Sequence, residues 1–240
     1  MIVIIFTDFI QSFLSLLFVF VNLVIGLIIA SKYRSTKSWE TLLVGIAWIG
    51  LAFLWIADAY RFIYFLLYDD LTPTIITVNL ILTVGIIPVP AIMWLIAFSR
   101  LLGIRKNSSY IILLVSALLF SVLDILLFYS YFTDPNPHTK YHYSSIYNDI
   151  ILLGSLIFVL VSGLFFAGQA YQSEDKRIKM KGKLLLIAFI LFTIGAVLDS
   201  LFTYSDFVIN MTSRILLLIS SILFYIGFIL PRWVENLLFS

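Results

Sequence analysis

The sequence predicts an all-α integral membrane protein, a single domain over residues 1–240 in which seven helices cross the bilayer. Three observations carry that expectation. The chain is 62% hydrophobic and only 12% charged, with a mean hydropathy of +1.10, which leaves too little charge to cover a soluble domain. Its apolar residues fall into runs of the roughly 20 residues that a helix needs to cross a hydrocarbon core of about 30 Å. Its basic residues collect in alternate loops. Strand-like alternation is missing, so the pattern excludes a membrane β-barrel.

The first span runs from about Phe9 to Ala30 and the second from about Thr41 to Tyr68. The third covers about Thr74 to Phe98, the fourth Tyr110 to Tyr131 and the fifth Asp149 to Tyr171. The sixth covers about Leu184 to Tyr204 and the seventh Arg214 to Leu230. Residues Met1 to Phe6 carry no basic n-region and no small-residue cleavage site, so they read as the start of the mature protein. Pro88 and Pro90 each remove a backbone donor, so a kink is expected in the third span, either shaping a cavity or adjusting packing. The tail 231–240 carries Trp233, Val234, Leu237, Leu238 and Phe239 beside one charge of each sign. It reads as a short helix lying in the interface, with no soluble output domain expected after it.

Orientation follows from lysine and arginine. Lys32, Arg34 and Lys37 fall in the first loop, Arg100, Arg105 and Lys106 in the third, and Lys176, Arg177, Lys179, Lys181 and Lys183 in the fifth. Arg232 lies in the tail. The opposite side has Lys140 and Arg214, and Arg61 sits within the second span. The positive-inside rule then places the N-terminus outside and the C-terminus inside the cell membrane. The expected partners are the lipid bilayer and a cytoplasmic signalling protein at the basic inner loops, Lys176 to Lys183 included. Tyr60, Tyr64, Tyr68, Tyr129, Tyr131, Tyr141, Tyr143, Tyr147 and Tyr204 gather at the outer ends, as an aromatic belt or as the wall of an outward-facing cavity.

Several function classes fall away. There is no cysteine, hence no disulfide, thiolate metal site or cysteine nucleophile. No basic run interleaved with aromatics supports nucleic-acid binding. His138 and His142 lie in the loop from Thr133 to Asn148, outside any apolar run, so neither suits an intramembrane haem. Their four-residue spacing would suit a metal only on a helix, which Pro135 and Pro137 oppose. Every lysine is in a loop, so no Schiff base to retinal is available in the seventh span, where Ser220, Ser221 and Tyr225 stand. No nucleophile–base set, phosphate loop or aspartyl-protease motif is present, so no enzyme activity and no cofactor are expected. Asn210-Met211-Thr212 fits a glycosylation acceptor but hugs the membrane edge.

What remains is a set of carboxylates in apolar surroundings. Val197-Leu198-Asp199-Ser200-Leu201-Phe202-Thr203-Tyr204-Ser205-Asp206-Phe207 is echoed by Val122-Leu123-Asp124-Ile125-Leu126-Leu127-Phe128-Tyr129-Ser130-Tyr131-Phe132, and more faintly by Ile56-Ala57-Asp58 with Arg61 and Tyr64. An Asp near the centre of a membrane helix costs about 2.5–3.5 kcal/mol on insertion scales, so it faces protein or water and marks an interior. Asp58, Asp124 and Asp199 lie about fifteen to seventeen residues from the inner ends of their helices, at roughly 22–26 Å along each axis. Arg61 is one turn from Asp58 and can pair with it. The expected binding residues are Asp58, Arg61, Asp124 and Asp199, with Tyr64, Tyr129 and Tyr204. They would take a cation, a proton or a small polar ligand, or else join helices through polar contacts. The echo also suggests a 2+2+2+1 repeat of parallel hairpins.

Lys179 to Phe189, Ile194 to Ser200 and Gly227 to Trp233 resemble recurring segments of uncharacterised seven-helix membrane proteins of archaea. The likeness extends more loosely to Ser38–Leu54 and implies a seven-helix fold without an activity. There is a looser similarity to the seven-helix sensor regions that precede prokaryotic histidine kinases. The function expected is that of a receptor-like or sensor protein binding a small ligand or cation from outside. The alternatives are a small proton- or cation-coupled transporter or channel, and a structural subunit of a membrane complex.

Overall fold

Away from water, each backbone N–H and C=O must find its partner within the chain, and a helix satisfies them locally. The apolar runs of this sequence obey that rule. The computed structural model describes residues 2–67, 85–86, 88–104, 106–133, 146–202 and 207–239, and the elements among them are all helical. They are α1 (Ile2–Ser31), a single turn α2 (Tyr33–Thr36), α3 (Trp39–Ala52), a 3₁₀ turn (Phe53–Trp55) and α4 (Ile56–Leu67). Then come α5 (Pro88–Leu101), α6 (Lys106–Thr133), α7 (Ile146–Tyr171), α8 (Lys176–Phe202), α9 (Phe207–Ile229) and α10 (Arg232–Phe239). Among the described residues six helical stretches are long and apolar enough to cross a membrane, as a multi-pass membrane protein requires, and α5 is a shorter apolar helix.

Three boundaries differ from expectation for stated reasons. The second span is not one α-helix: it narrows to a 3₁₀ turn at Phe53–Trp55 before resuming as α4. The seventh helix starts at Phe207 and not at Arg214, because Arg214 is neutralised inside the protein and does not mark a membrane edge. The sixth starts eight residues early, at Lys176, as Asp175 caps it by accepting from the backbone N–H groups of Arg177 (2.7 Å) and Ile178 (3.3 Å). In the third span the described helix begins at Pro88, where a missing N–H costs nothing. Residues 74–84 and 87 of that span, with Tyr68, lie outside the described residues, as do the loop with Lys140, His138 and His142, and Tyr141, Tyr143, Arg105 and Tyr204.

Helix contacts order the bundle. α1 packs on α3, α4 and α9, α3 on α5, α5 on α7, α7 on α8, and α8 on α9, so these helices close a ring. α6 packs on α5 and α7 and leaves Ile111, Val115, Leu118, Val122, Ile125 and Phe132 exposed for lipid. The approach of α1 and α3 needs glycine. A Cβ on Gly45 would stand 2.6 Å from the Gly26 carbonyl oxygen and 2.6 Å from the Ala30 nitrogen, so α1 and α3 meet backbone to backbone.

The centre of the ring is aromatic. Trp48 stacks on Phe224 with centroids 3.6 Å apart and planes 4° apart, and Trp94 stacks on Phe98 at 4.1 Å. Phe189 meets Trp94 and Phe224 edge-on, and the Trp94 indole N–H donates to Ser162 Oγ at 2.9 Å. Large flat rings fill the space where small residues would leave voids, and edge-to-face pairs add to the burial. Leu230, at φ 50°, ends α9. The short α10 that follows presents Trp233 and Leu237 outward and buries Val234, and Arg177 ties it to α8 by an ion pair to Glu235 at 2.7 Å.

Candidate functional site

The first turn of α4, the end of α8 and the second turn of α9 converge on one buried guanidinium. Arg214 is 0% exposed. Its Nη2 lies 2.7 Å from Asp58 Oδ2, where it donates a hydrogen bond, and 3.2 Å from Asp199 Oδ1. One nitrogen thus joins α4, α8 and α9.

Asp199 is also met by Trp55 and Ser213. The Trp55 indole N–H donates to Asp199 Oδ2 at 2.7 Å, and Ser213 Oγ lies 3.3 Å from Asp199 Oδ1. The Ser213 hydroxyl has one proton and a closer acceptor in the Asn210 carbonyl at 2.7 Å, so the indole is the stronger of the two supports for Asp199. Trp55 is held in turn by Phe18 of α1 and Phe192 of α8, both edge-on, with centroids at 4.9 and 6.0 Å. The 3₁₀ turn matters because it sets the position of this indole between the α3 and α4 segments. Such a turn inside a long helix often marks a hinge.

The guanidinium is not fully used. It carries five N–H donors, and its Nε and Nη1 have no hydrogen-bond acceptor among the described residues although both are buried. Unmet donors of a buried cation are expensive, and their direction identifies where an acceptor would be recognised.

The expected residues divide. Asp58 and Asp199 are brought together, through Arg214. Arg61 lies one turn along α4 from Asp58 and is half-buried. Asp124 is on α6, the helix outside the ring; it is half-buried, and its Oδ1 meets no donor among the described residues. Tyr129 is 68% exposed and points away from the bundle. Tyr64 lies on α4, but its side chain, like Tyr204, is outside the described residues. Tyr131 is buried against Leu127 and Ile151. Asn210, which would have been the glycan acceptor, is buried within α9.

Arg214, Trp55 and Ser213 were not among the expected site residues. The charge pattern counts Arg214 as a basic residue on the less basic side. Its place beside Asn210 and Ser213, at the edge of an apolar run, does not by itself show what it faces across the bundle. No family profile, curated protein or solved structure matches the chain.

Proposed function

We propose that this is a receptor-like protein of the cell membrane, with its N-terminus outside, that binds a small ligand or cation at the Asp58–Arg214–Asp199 cluster from the outer side. The observation that carries the reading is the shared guanidinium. Two carboxylates share one arginine, and the Arg214 Nε and Nη1 have no hydrogen-bond acceptor among the described residues, so they remain for another acceptor. In low dielectric such a set favours a partner that supplies a proton or cation to the carboxylates and a lone pair to the guanidinium. Because α4, α8 and α9 meet there, a change in charge at the cluster alters the contact of three helices, and the basic loops at the opposite end would pass it to a cytoplasmic partner. The kinship with archaeal seven-helix proteins is part of this reading and rests on the quoted segments of the sixth and seventh helices.

The test is thermal unfolding of the purified protein across sodium, potassium and calcium concentrations and across pH, with proteoliposome flux alongside. A stability response without flux, lost in Asp58→Asn and Asp199→Asn, is the expected result. No response in any condition would reduce the cluster to packing. A second reading, proton- or cation-coupled transport, is favoured by the 3₁₀ interruption of the second span beside Trp55, since transporters place ion sites at discontinuous helices. Flux lost in the same variants would select it.

A further inference from the structure

At the end of the bundle that carries the basic residues, α7, α8 and α9 line a half-open cavity of about 430 Å³ that shares no residue with the ion cluster. Its lining is of two kinds. Phe166, Leu185 and Phe228 make an apolar wall, while Gln169, Ser173 and Lys181 offer an amide, a hydroxyl and an ammonium group.

Lys181 is half-buried there, and its Nζ donates to the Phe228 carbonyl at 3.4 Å, a long bond that engages one of three donors. The acidic group whose field reaches Lys181, Glu235, is itself ion-paired to Arg177 at 2.7 Å. Lys176, Lys179 and Lys183 stand exposed along the same two turns of α8. A cation at the mouth of an apolar cavity between membrane helices, with further cations around it, matches a group that is anionic at one end and hydrocarbon at the other. The flanking α10, with Trp233 and Leu237 exposed, extends an apolar surface at the same level.

We propose that this cavity binds the phosphate of an anionic phospholipid, with Lys181, Gln169 and Ser173 as its donors and Phe166, Leu185 and Phe228 against the first acyl carbons. The shared chemistry is a phosphate ester. The lipid source is favoured by the apolar wall, which a soluble phosphate would leave unused.

The experiment uses the full chain in neutral detergent, exposed to equal amounts of phosphatidylglycerol and phosphatidylcholine, with retained lipid counted by native mass spectrometry. We expect retention of phosphatidylglycerol over phosphatidylcholine by about fivefold or more, from the usual contribution of one lysine near an anionic headgroup. Lys181→Gln should remove that preference. Gln169→Phe, at an exposed lining position where folding is not at stake, should block the cavity while keeping the lysine. Lys183→Gln, a charge of the same sign outside the cavity, should leave the preference intact. Equal losses in Lys181→Gln and Lys183→Gln would overturn the proposal in favour of general surface attraction, as would retention unaffected by Gln169→Phe. Displacement of the lipid by glycerol phosphate at comparable concentration would overturn the lipid source.

Discussion

Arg214→Leu is the perturbation that most directly tests the buried cluster. The side chain of Arg214 is 1% exposed, against 13% for Asp58 and 12% for Asp199, so removing the cation leaves two carboxylates facing each other with little water. Breaking a buried ion pair from one side costs about 3–5 kcal/mol. Partial exposure lets the carboxylates recover some of this by taking up protons, so the lower end, about 3 kcal/mol, applies. For a chain of this size that corresponds to a fall in Tm of roughly 6–12 °C, at about 2–4 °C per kcal/mol. The combined variant Arg214→Leu, Asp58→Asn, Asp199→Asn should recover most of the loss. Neither position 58 nor position 199 then carries a charge facing the lost guanidinium, and an amide oxygen at position 199 still accepts from the Trp55 indole. The assay is thermal unfolding in one detergent at one pH, read as a cycle of single and combined variants. A loss under about 1 kcal/mol for the single variant, or a combined variant less stable than it, would refute the reasoning that these three groups act as one unit.

Three further outcomes follow from the same geometry. Trp55→Phe keeps the packing against Phe18 and Phe192 but removes the N–H bond to Asp199, and should cost about 1.5–3 kcal/mol in unfolding experiments, as loss of a hydrogen bond to a charged group does. Gly45→Ala should destabilise by about 1–3 kcal/mol because its Cβ meets the α1 backbone, whereas Gly154→Ala, with open space around it, should stabilise by up to about 1 kcal/mol; a reversed order in thermal scans would contradict the close α1–α3 contact. Asp124→Asn should leave stability within about 1 kcal/mol or raise it, since its Oδ1 meets no donor among the described residues; a loss as large as that of Asp58→Asn would place Asp124 in the ion cluster.

The contrast between Asp199 and Asp124 shows how far the sequence reaches. Their segments share Val, Leu, Asp, Leu, Tyr, Ser and Phe at matching offsets, and both stand in apolar runs, so hydropathy assigns them the same cost and the same prospect of function. Only packing separates them. α8 lies within the ring, where Trp55 and Arg214 come to Asp199, while α6 lies outside it. Tyr129 and Tyr131 make the same point over two residues, one exposed to the surroundings and the other buried.

By itself the sequence determined that the chain is helical, apolar and built of membrane-length segments, because these depend on composition and on the need of each backbone group to bond locally. It also located Asp58 and Asp199, since an ionised carboxylate in an apolar run stands out wherever it folds. It gave no means of finding their partner. Arg214 lies 156 residues from Asp58 and at the edge of an apolar run, where a lone arginine normally marks the membrane surface. A charge is placed inside or outside by what faces it across the bundle, and that was decided only when α4, α8 and α9 packed together.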